Sequence, residues 1–186
     1  MKHLTGILAI VVMITIGLAC SGDDTQKAND LVKEANKFVI DANDGVKKAE
    51  AKGTEYDSKL AKITTDKQVE ELREFGKEIM KIYDSMNENF GKAGGKFEEA
   101  SKLKVNDKFK EYLELKGREM KKRAEYSLEI KKIPQALIDS KKREEYVENA
   151  KTYGTNAKKI LDEAKDLGDK ADKIIKENPT VIKPLE

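Results

Sequence analysis

Alanine recurs every seven residues in two separate stretches of the chain, which predicts a helix with one apolar face in each. In the first stretch, the same phase continues through Tyr56 to Ile63, so this helix is predicted to run through Gly53. We expect Asp23 to cap it and the Thr64-Thr65 pair to end it. The alanines of the two stretches are Ala28, Ala35, Ala42 and Ala49, then Ala150, Ala157, Ala164 and Ala171.

Two further helices are predicted between these stretches. Thr65 and Gln68 form a capping-box pattern ahead of an apolar stripe that continues to Ala100. The next helix is predicted to begin near Asn106 or Asp107, and Pro134 is expected to kink or end it. The last helix, which contains the second alanine series, is predicted from about Ser140 to Glu177. The stripe residues of the middle helices include Leu72, Ile79, Tyr83, Met86, Phe90 and Phe97, then Phe109, Leu113, Met120, Ala124 and Ile130.

Four long amphipathic helices joined by short polar turns predict an all-α fold. We expect an elongated, antiparallel, up-down-up-down four-helix bundle with coiled-coil-like packing. Because small side chains let two helices approach closely, the two alanine-rich helices are expected to be neighbours.

The first helix follows an apolar N-terminal stretch that ends at the only cysteine of the chain. Lys2 precedes the stretch, no charged residue interrupts it from Leu4 to Ala19, and Cys20 closes it before Ser21. This arrangement resembles a bacterial lipoprotein signal peptide. The resemblance covers about the first twenty-two residues. It implies cleavage before Cys20, acylation of that residue with chains such as palmitate, and attachment to a lipid bilayer.

Two processing routes are compatible with the residues before Cys20. Gly17 occupies a position where the lipoprotein family usually has Leu, Val or Ile. Gly17-Leu18-Ala19 also fits the small-x-small rule of ordinary signal peptidase, which would release a soluble, secreted bundle. Under the lipoprotein interpretation the domains are a signal peptide at 1–19, a tether at 20–24, a helical bundle at 25–178 and a C-terminal tail at 179–186.

The composition restricts the chemistry of the mature chain. Removing residues 1–19 takes away the only histidine, and Cys20 is the only cysteine, so the usual Ser-His, Cys-His and zinc-ligand combinations are excluded. We therefore predict no enzymatic activity, no cofactor and no metal. The 37 basic and 35 acidic residues are interleaved, which gives no basic stripe for nucleic acid. The short clusters Lys121-Lys122-Arg123 and Lys141-Lys142-Arg143 are interpreted as ion-paired surface.

These features predict a structural or protein-interaction module of the bacterial cell envelope with an envelope protein as partner. The resemblance implies the outer membrane if the organism has two membranes, because Ser21 follows the cysteine. An alternative is a carrier whose core around Tyr83, Phe90, Met120 and Tyr153 holds a small apolar ligand. The segment Gly91–Gly95 carries three glycines that we place on the polar side, where a bend, an interruption or a contact is expected.

Overall fold

Four long α-helices make up almost all of the computed structural model, which describes residues 14–15, 24–62, 64–140, 142–179 and 183–184. The helices are α1 (Thr25–Leu60), α2 (Asp66–Ser101), α3 (Asp107–Asp139) and α4 (Arg143–Glu177). Two short strands, β1 (Ile14–Thr15) and β2 (Lys183–Pro184), pair antiparallel, with Ile14 opposite Pro184. The all-helical prediction is confirmed at the level of a bundle of four helices.

The helix boundaries follow from local capping. The Thr65 side chain accepts a hydrogen bond from the Gln68 amide, and the Gln68 side chain bonds back to the Thr65 amide, so the predicted capping box is confirmed. Asn106 caps α3 in a similar way by accepting from the Lys108 amide. The N-cap of α1 is Asp24 and not the expected Asp23, and its side chain does not bond to the first turn of the helix.

Glycine and proline inside these helices do not end them. α1 continues through Gly53, as predicted, and α2 continues through the Gly91–Gly95 segment, where an interruption was one of the expected alternatives. α3 runs past Pro134 to Asp139. Of the two alternatives for Pro134, a kink or the end of the helix, the second is therefore wrong. The predicted start of α4 at Ser140 is three residues too early, because Ser140 is the C-cap of α3.

Each helix packs mainly against its neighbours in the chain. α1 packs on α2, α2 on α3, and α3 on α4, whereas α1 and α4 form no comparable interface within the described residues. The expectation that α1 and α4 are neighbours along their alanine faces is therefore wrong. Their alanines are still buried, from 0% exposed at Ala35 and Ala164 to 4% at Ala150. Small side chains thus allow each outer helix to approach its own partner in the chain.

Ion pairs show the register of two of these interfaces. Between α1 and α2, Lys52 Nζ lies 2.7 Å from Glu78, and Lys96 Nζ lies 2.8 Å from Glu34. Between α3 and α4, Lys122 lies 3.1 Å from Glu163. At the α1–α2 interface, late residues of the first helix therefore meet early residues of the second.

Among the described residues, the core consists of one large cluster of buried side chains and a smaller one formed by Ala136, Tyr146 and Ala150. The large cluster includes residues from all four helices, with Phe90, Phe97, Phe109 and Tyr112 among the largest. None of the helices in the described ranges has an apolar stretch long enough to cross a membrane. The predicted signal peptide, at 1–19, lies outside the described residues except for β1.

Candidate functional site

The first described residue after the proposed lipidation site joins α1 to another part of the bundle. Cys20 itself lies outside the described residues. The Asp24 amide donates a hydrogen bond of 2.8 Å to the Lys104 carbonyl, and the Asp24 carboxylate accepts one of 3.1 Å from the Lys104 amide. Lys104 belongs to the loop between α2 and α3. We call this part of the molecule, formed by Asp24, the start of α1 and residues 102–106, the Asp24–Lys104 end.

A groove with excess positive charge lies between α2 and α3 and begins at this end. It has a volume of about 400 Å³, and we call it the basic groove. Its eight lining residues, of which four are cationic and two are acidic, are Glu98, Ser101, Lys102, Lys110, Glu114, Gly117, Arg118 and Lys121. The formal charge of the lining is therefore +2.

The charges of the basic groove are not all neutralised by neighbours. Lys121 Nζ lies 2.5 Å from the Glu98 carboxylate, and Lys102 lies 3.7 Å from it, which lowers the pKa of Glu98. Lys110 and Arg118 form no ion pair with any of the described residues. Two cations on α3 are consequently available to an anion from outside the protein.

A second groove, which we call the acidic groove, lies between α1 and α2 and has the opposite charge. Its volume is about 480 Å³, and its lining is Lys59, Lys67, Glu70, Glu71, Glu74, Phe75 and Glu78. Two cations and four carboxylates give this lining a formal charge of −2. Lys52 Nζ lies 4.6 Å from the centre of the Phe75 ring and bonds to Glu78, whose pKa is lowered by that hydrogen bond. The acidic groove includes the first residues of α2, whereas the basic groove includes its last ones.

Three charged side chains of α3 are buried together, which the sequence analysis missed. The Glu119 side chain is 4% exposed and lies between two cations. Arg123 Nε donates to Glu119 Oε1 at 2.8 Å, and Lys116 Nζ donates to Glu119 Oε2 at 2.5 Å. We call Lys116, Glu119 and Arg123 the buried triad. The expectation that Arg123 belongs to an ion-paired surface cluster is wrong, because only 8% of this residue is exposed.

The buried triad faces α4 at a glycine. A Cβ atom on Gly168 would lie 3.1 Å from Glu119 Cδ and 3.2 Å from each carboxylate oxygen. Because Gly168 has no Cβ atom, the Glu119 carboxylate can occupy this space. Burial raises the pKa of Asp172 on the same helix, while the nearby Lys116 lowers it. The arrangement holds charges in place and presents no free nucleophile.

At the other end of the bundle, two tyrosines come together from α1 and α4. Tyr56 and Tyr146 are 5% and 4% exposed, and neither hydroxyl has a hydrogen-bond partner of good geometry among the described residues. Burial raises the pKa of both hydroxyls. The nearby Tyr146 raises the pKa of Tyr56 further, whereas Tyr56 lowers that of Tyr146. Gly76 of α2 lies beside Tyr56 and Pro134, so side chains of all four helices meet at this end.

The glycine segment of α2 is a contact with α3. A Cβ on Gly94 would lie 3.2 Å from the Gly117 carbonyl oxygen, so the two backbones are close there. Gly94 is buried, which corrects its placement on the polar side of the helix, whereas Gly91 and Gly95 are exposed. Of the alternatives considered for this segment, the structure places a helix contact at Gly94.

The residues of the ligand-carrier alternative do not line either groove. Tyr83, Phe90 and Met120 are at most 5% exposed and belong to the packed core, and Tyr153 is half-buried beside a smaller cluster around Ala150. Within the described ranges, no group of His, Cys, Asp and Glu side chains has the arrangement of a metal site. Both grooves are lined mainly by charged side chains.

Comparisons with known proteins add no assignment to these sites. No protein-family model matches the chain, and neither a curated protein nor a solved structure shows significant similarity to it.

Proposed function

We propose that this chain is a lipid-anchored helical bundle of the bacterial cell envelope that acts as a structural or protein-interaction module without catalysis. The proposal rests on the apolar stretch from Leu4 to Ala19 and on Cys20, which follows it. Acyl chains on Cys20 would tether the protein to the bilayer, and the four helices would extend into the adjacent compartment. Ser21 favours the outer membrane as the destination if the cell has two membranes.

The observation that carries this proposal is the position of Asp24. Asp24 is the fourth residue after Cys20, and an extended chain covers about 14 Å over four residue steps. Asp24 is bonded through both its backbone and its carboxylate to Lys104. The folded domain thus begins immediately after the tether, and the Asp24–Lys104 end would be held next to the bilayer.

The proposed architecture is an up-down-up-down order with coiled-coil-like packing. Three pairs of cross-helix contacts support it: Lys52 with Glu78, Lys131 with Asp84, and Asn156 with Glu129. In each pair, the two residues lie at roughly similar distances in sequence from the loop that connects their helices, as in antiparallel neighbours. A helix of 36 residues extends about 54 Å, so a rod of this length would present its long sides to a protein partner.

Cell fractionation combined with acyl labelling of the wild-type chain and a Cys20→Ser variant tests the anchor. We expect the wild type in the membrane fraction, and we expect the variant to lose acylation and cleavage before residue 20. Equal acyl labelling of both proteins would contradict the role of Cys20. A cleaved, unacylated wild type in the medium would favour the soluble, secreted alternative.

Crosslinking in intact cells tests the interaction role. Photoreactive residues placed at exposed positions of α1 and α4, such as Ile40 and Val147, are expected to capture one envelope protein repeatedly. Capture of different proteins in each experiment, in proportion to their abundance, would contradict a specific scaffold.

A further inference from the structure

The charge of the α2–α3 loop and the first turn of α3, next to Asp24, is unusual for this chain. Overall, positive and negative residues nearly balance, with 37 against 35. The segment from 102 to 110 instead contains four lysines and one aspartate. Of these lysines, Lys108 pairs with Glu111 and Lys102 lies near Glu98, while Lys110 has no ion pair among the described residues.

The basic groove extends this positive charge along α3. Lys110 and Arg118 are eight residues apart on the same helix, so they are separated by about 12 Å along its axis. The groove lies on the outside of the α2–α3 interface, where Gly94 and Gly117 bring the two backbones close together. The two unpaired cations therefore lie along one open surface that starts at the end joined to Asp24.

The tether limits how far this surface can be from the bilayer. The extended chain from Cys20 to Asp24 spans about 14 Å, and this length is similar to the distance of about 12 Å between Lys110 and Arg118 along α3. A chain held in this way can tilt until the groove faces the lipid headgroups. The acidic groove, formed with the start of α2, is further from the tether, where repulsion from anionic lipids is weaker because salt screens charges over about 10 Å.

We propose that the basic groove binds the phosphate headgroups of anionic lipids in the bilayer to which Cys20 is anchored. The proposal rests on the anchoring described above, and it gives the bundle a defined orientation on the membrane. Arg118 supplies a planar set of donors that suits a phosphate, and Lys110 supplies a compact positive charge. Glu114 is the acidic group of the groove that opposes this binding, because Glu98 is already held by Lys102 and Lys121.

Vesicle binding by the unacylated full chain tests the groove separately from the anchor. The Cys20→Ser chain is incubated with phosphatidylcholine vesicles that contain or lack phosphatidylglycerol, and the bound fraction is measured by sedimentation. The ratio of the two partition coefficients reports the headgroup contribution, because any binding by apolar residues is common to both vesicles. Each basic residue near an anionic surface contributes about fivefold to binding.

Two sets of variants in this background give opposite expectations. Lys110→Gln combined with Arg118→Gln should lower the ratio by about 25-fold, whereas Glu114→Gln should raise it by about fivefold. The matched control, Lys151→Gln combined with Lys158→Gln, removes the same charge from exposed positions of α4 and should lower the ratio much less. Added salt should reduce binding of the parent chain more than that of the Lys110/Arg118 variant.

Three results would overturn the proposal. The first is an equal partition of the parent chain into both kinds of vesicle. The second is an equal loss in the groove variant and in the α4 control, which would indicate net charge alone. The third is displacement by inorganic phosphate at an ionic strength where sodium chloride has no effect, which would indicate a site for free phosphate. None of these results depends on whether Cys20 is acylated in cells.

Discussion

Glu119 is held between two cations, and this arrangement determines what each member of the buried triad contributes. Its carboxylate accepts from both Lys116 and Arg123 while almost excluded from water. A buried charge without its partner is strongly destabilising, whereas a complete network is often no more stable than an apolar replacement. We expect the triad to matter more for the unique pairing of α3 and α4 than for the total stability.

Glu119→Gln should destabilise the protein by about 3–5 kcal/mol, because it leaves Lys116 and Arg123 as buried cations without a carboxylate. Urea unfolding followed by circular dichroism measures the change. Glu74→Gln, which removes an exposed partner of Lys77, is the control and should change stability by about 0.5 kcal/mol or less. The combined variant Lys116→Met/Glu119→Leu/Arg123→Met should recover most of the loss. A Glu119→Gln protein as stable as the control would show that the triad is solvated.

Gly168 should be difficult to replace because the Glu119 carboxylate occupies the space beside it. Gly168→Ala should give a protein about 1–3 kcal/mol less stable than Gly95→Ala, where a new Cβ meets no atom within 4 Å. The Gly95 variant should itself gain up to about 1 kcal/mol from the higher helix propensity of alanine. Thermal melting compares the two proteins. If both variants were stabilised equally, the close contact between α3 and α4 would be contradicted.

At the scale of the helices, spacing in the sequence predicted most of what the structure contains. Apolar periodicity located all four helices, and Thr65 with Gln68 located the start of α2, because these depend on interactions within one segment. Pro134 was harder to interpret, since its cost to a helix can be offset by packing, here against Gly76.

Contacts between helices were less predictable. The alanine series of α1 and α4 indicated close packing but not which helix each one meets, and the choice of a common interface was wrong. The buried triad has the same three- and four-residue spacing as an apolar stripe. The apolar residues of the third predicted helix, from Phe109 to Ile130, are less regularly spaced than those of the second, and this was the available indication. Whether charged side chains at such positions are buried depends on a neighbour, here Gly168, that is far away in the chain.

Ala35→Leu should lower the stability by about 1–3 kcal/mol, because Ala35 is fully buried where α1 approaches its neighbour and a larger side chain overpacks the interface. The control is Ala51→Leu on the exposed side of the same helix, which should change stability by about 0.5 kcal/mol or less. Differential scanning calorimetry of both proteins measures the shift. Equal melting temperatures would mean that the alanine face of α1 is not closely packed.

At the scale of the whole molecule, buried tyrosines in all four helices link folding to alkaline pH. Burial raises the pKa of Tyr126 to about 12, and it raises that of Tyr56, Tyr83, Tyr112 and Tyr146 as well. The unfolded chain begins to release these protons near pH 10, while the folded protein keeps them. Their contribution to stability is thus complete below about pH 10 and decreases as the pH rises above it.

The bundle should therefore unfold cooperatively above about pH 10, with tyrosinate absorbance rising in the same step in which helical circular dichroism is lost. Titration of exposed lysines alone would not make tyrosinate absorbance rise in the same step in which helical circular dichroism is lost. A gradual rise of tyrosinate absorbance near pH 10 with the helices intact would contradict the burial of these side chains.

The proposed anchor gives the molecule its location and orientation, so the mass of its mature N-terminal peptide is the most direct test. The peptide is measured from native membranes and from the culture medium. We predict a membrane protein that begins at Cys20 and carries a diacylglycerol, with or without an amide-linked acyl chain. An unmodified Cys20 thiol on a protein found in the medium, or a chain that retains residues 1–19, would contradict it.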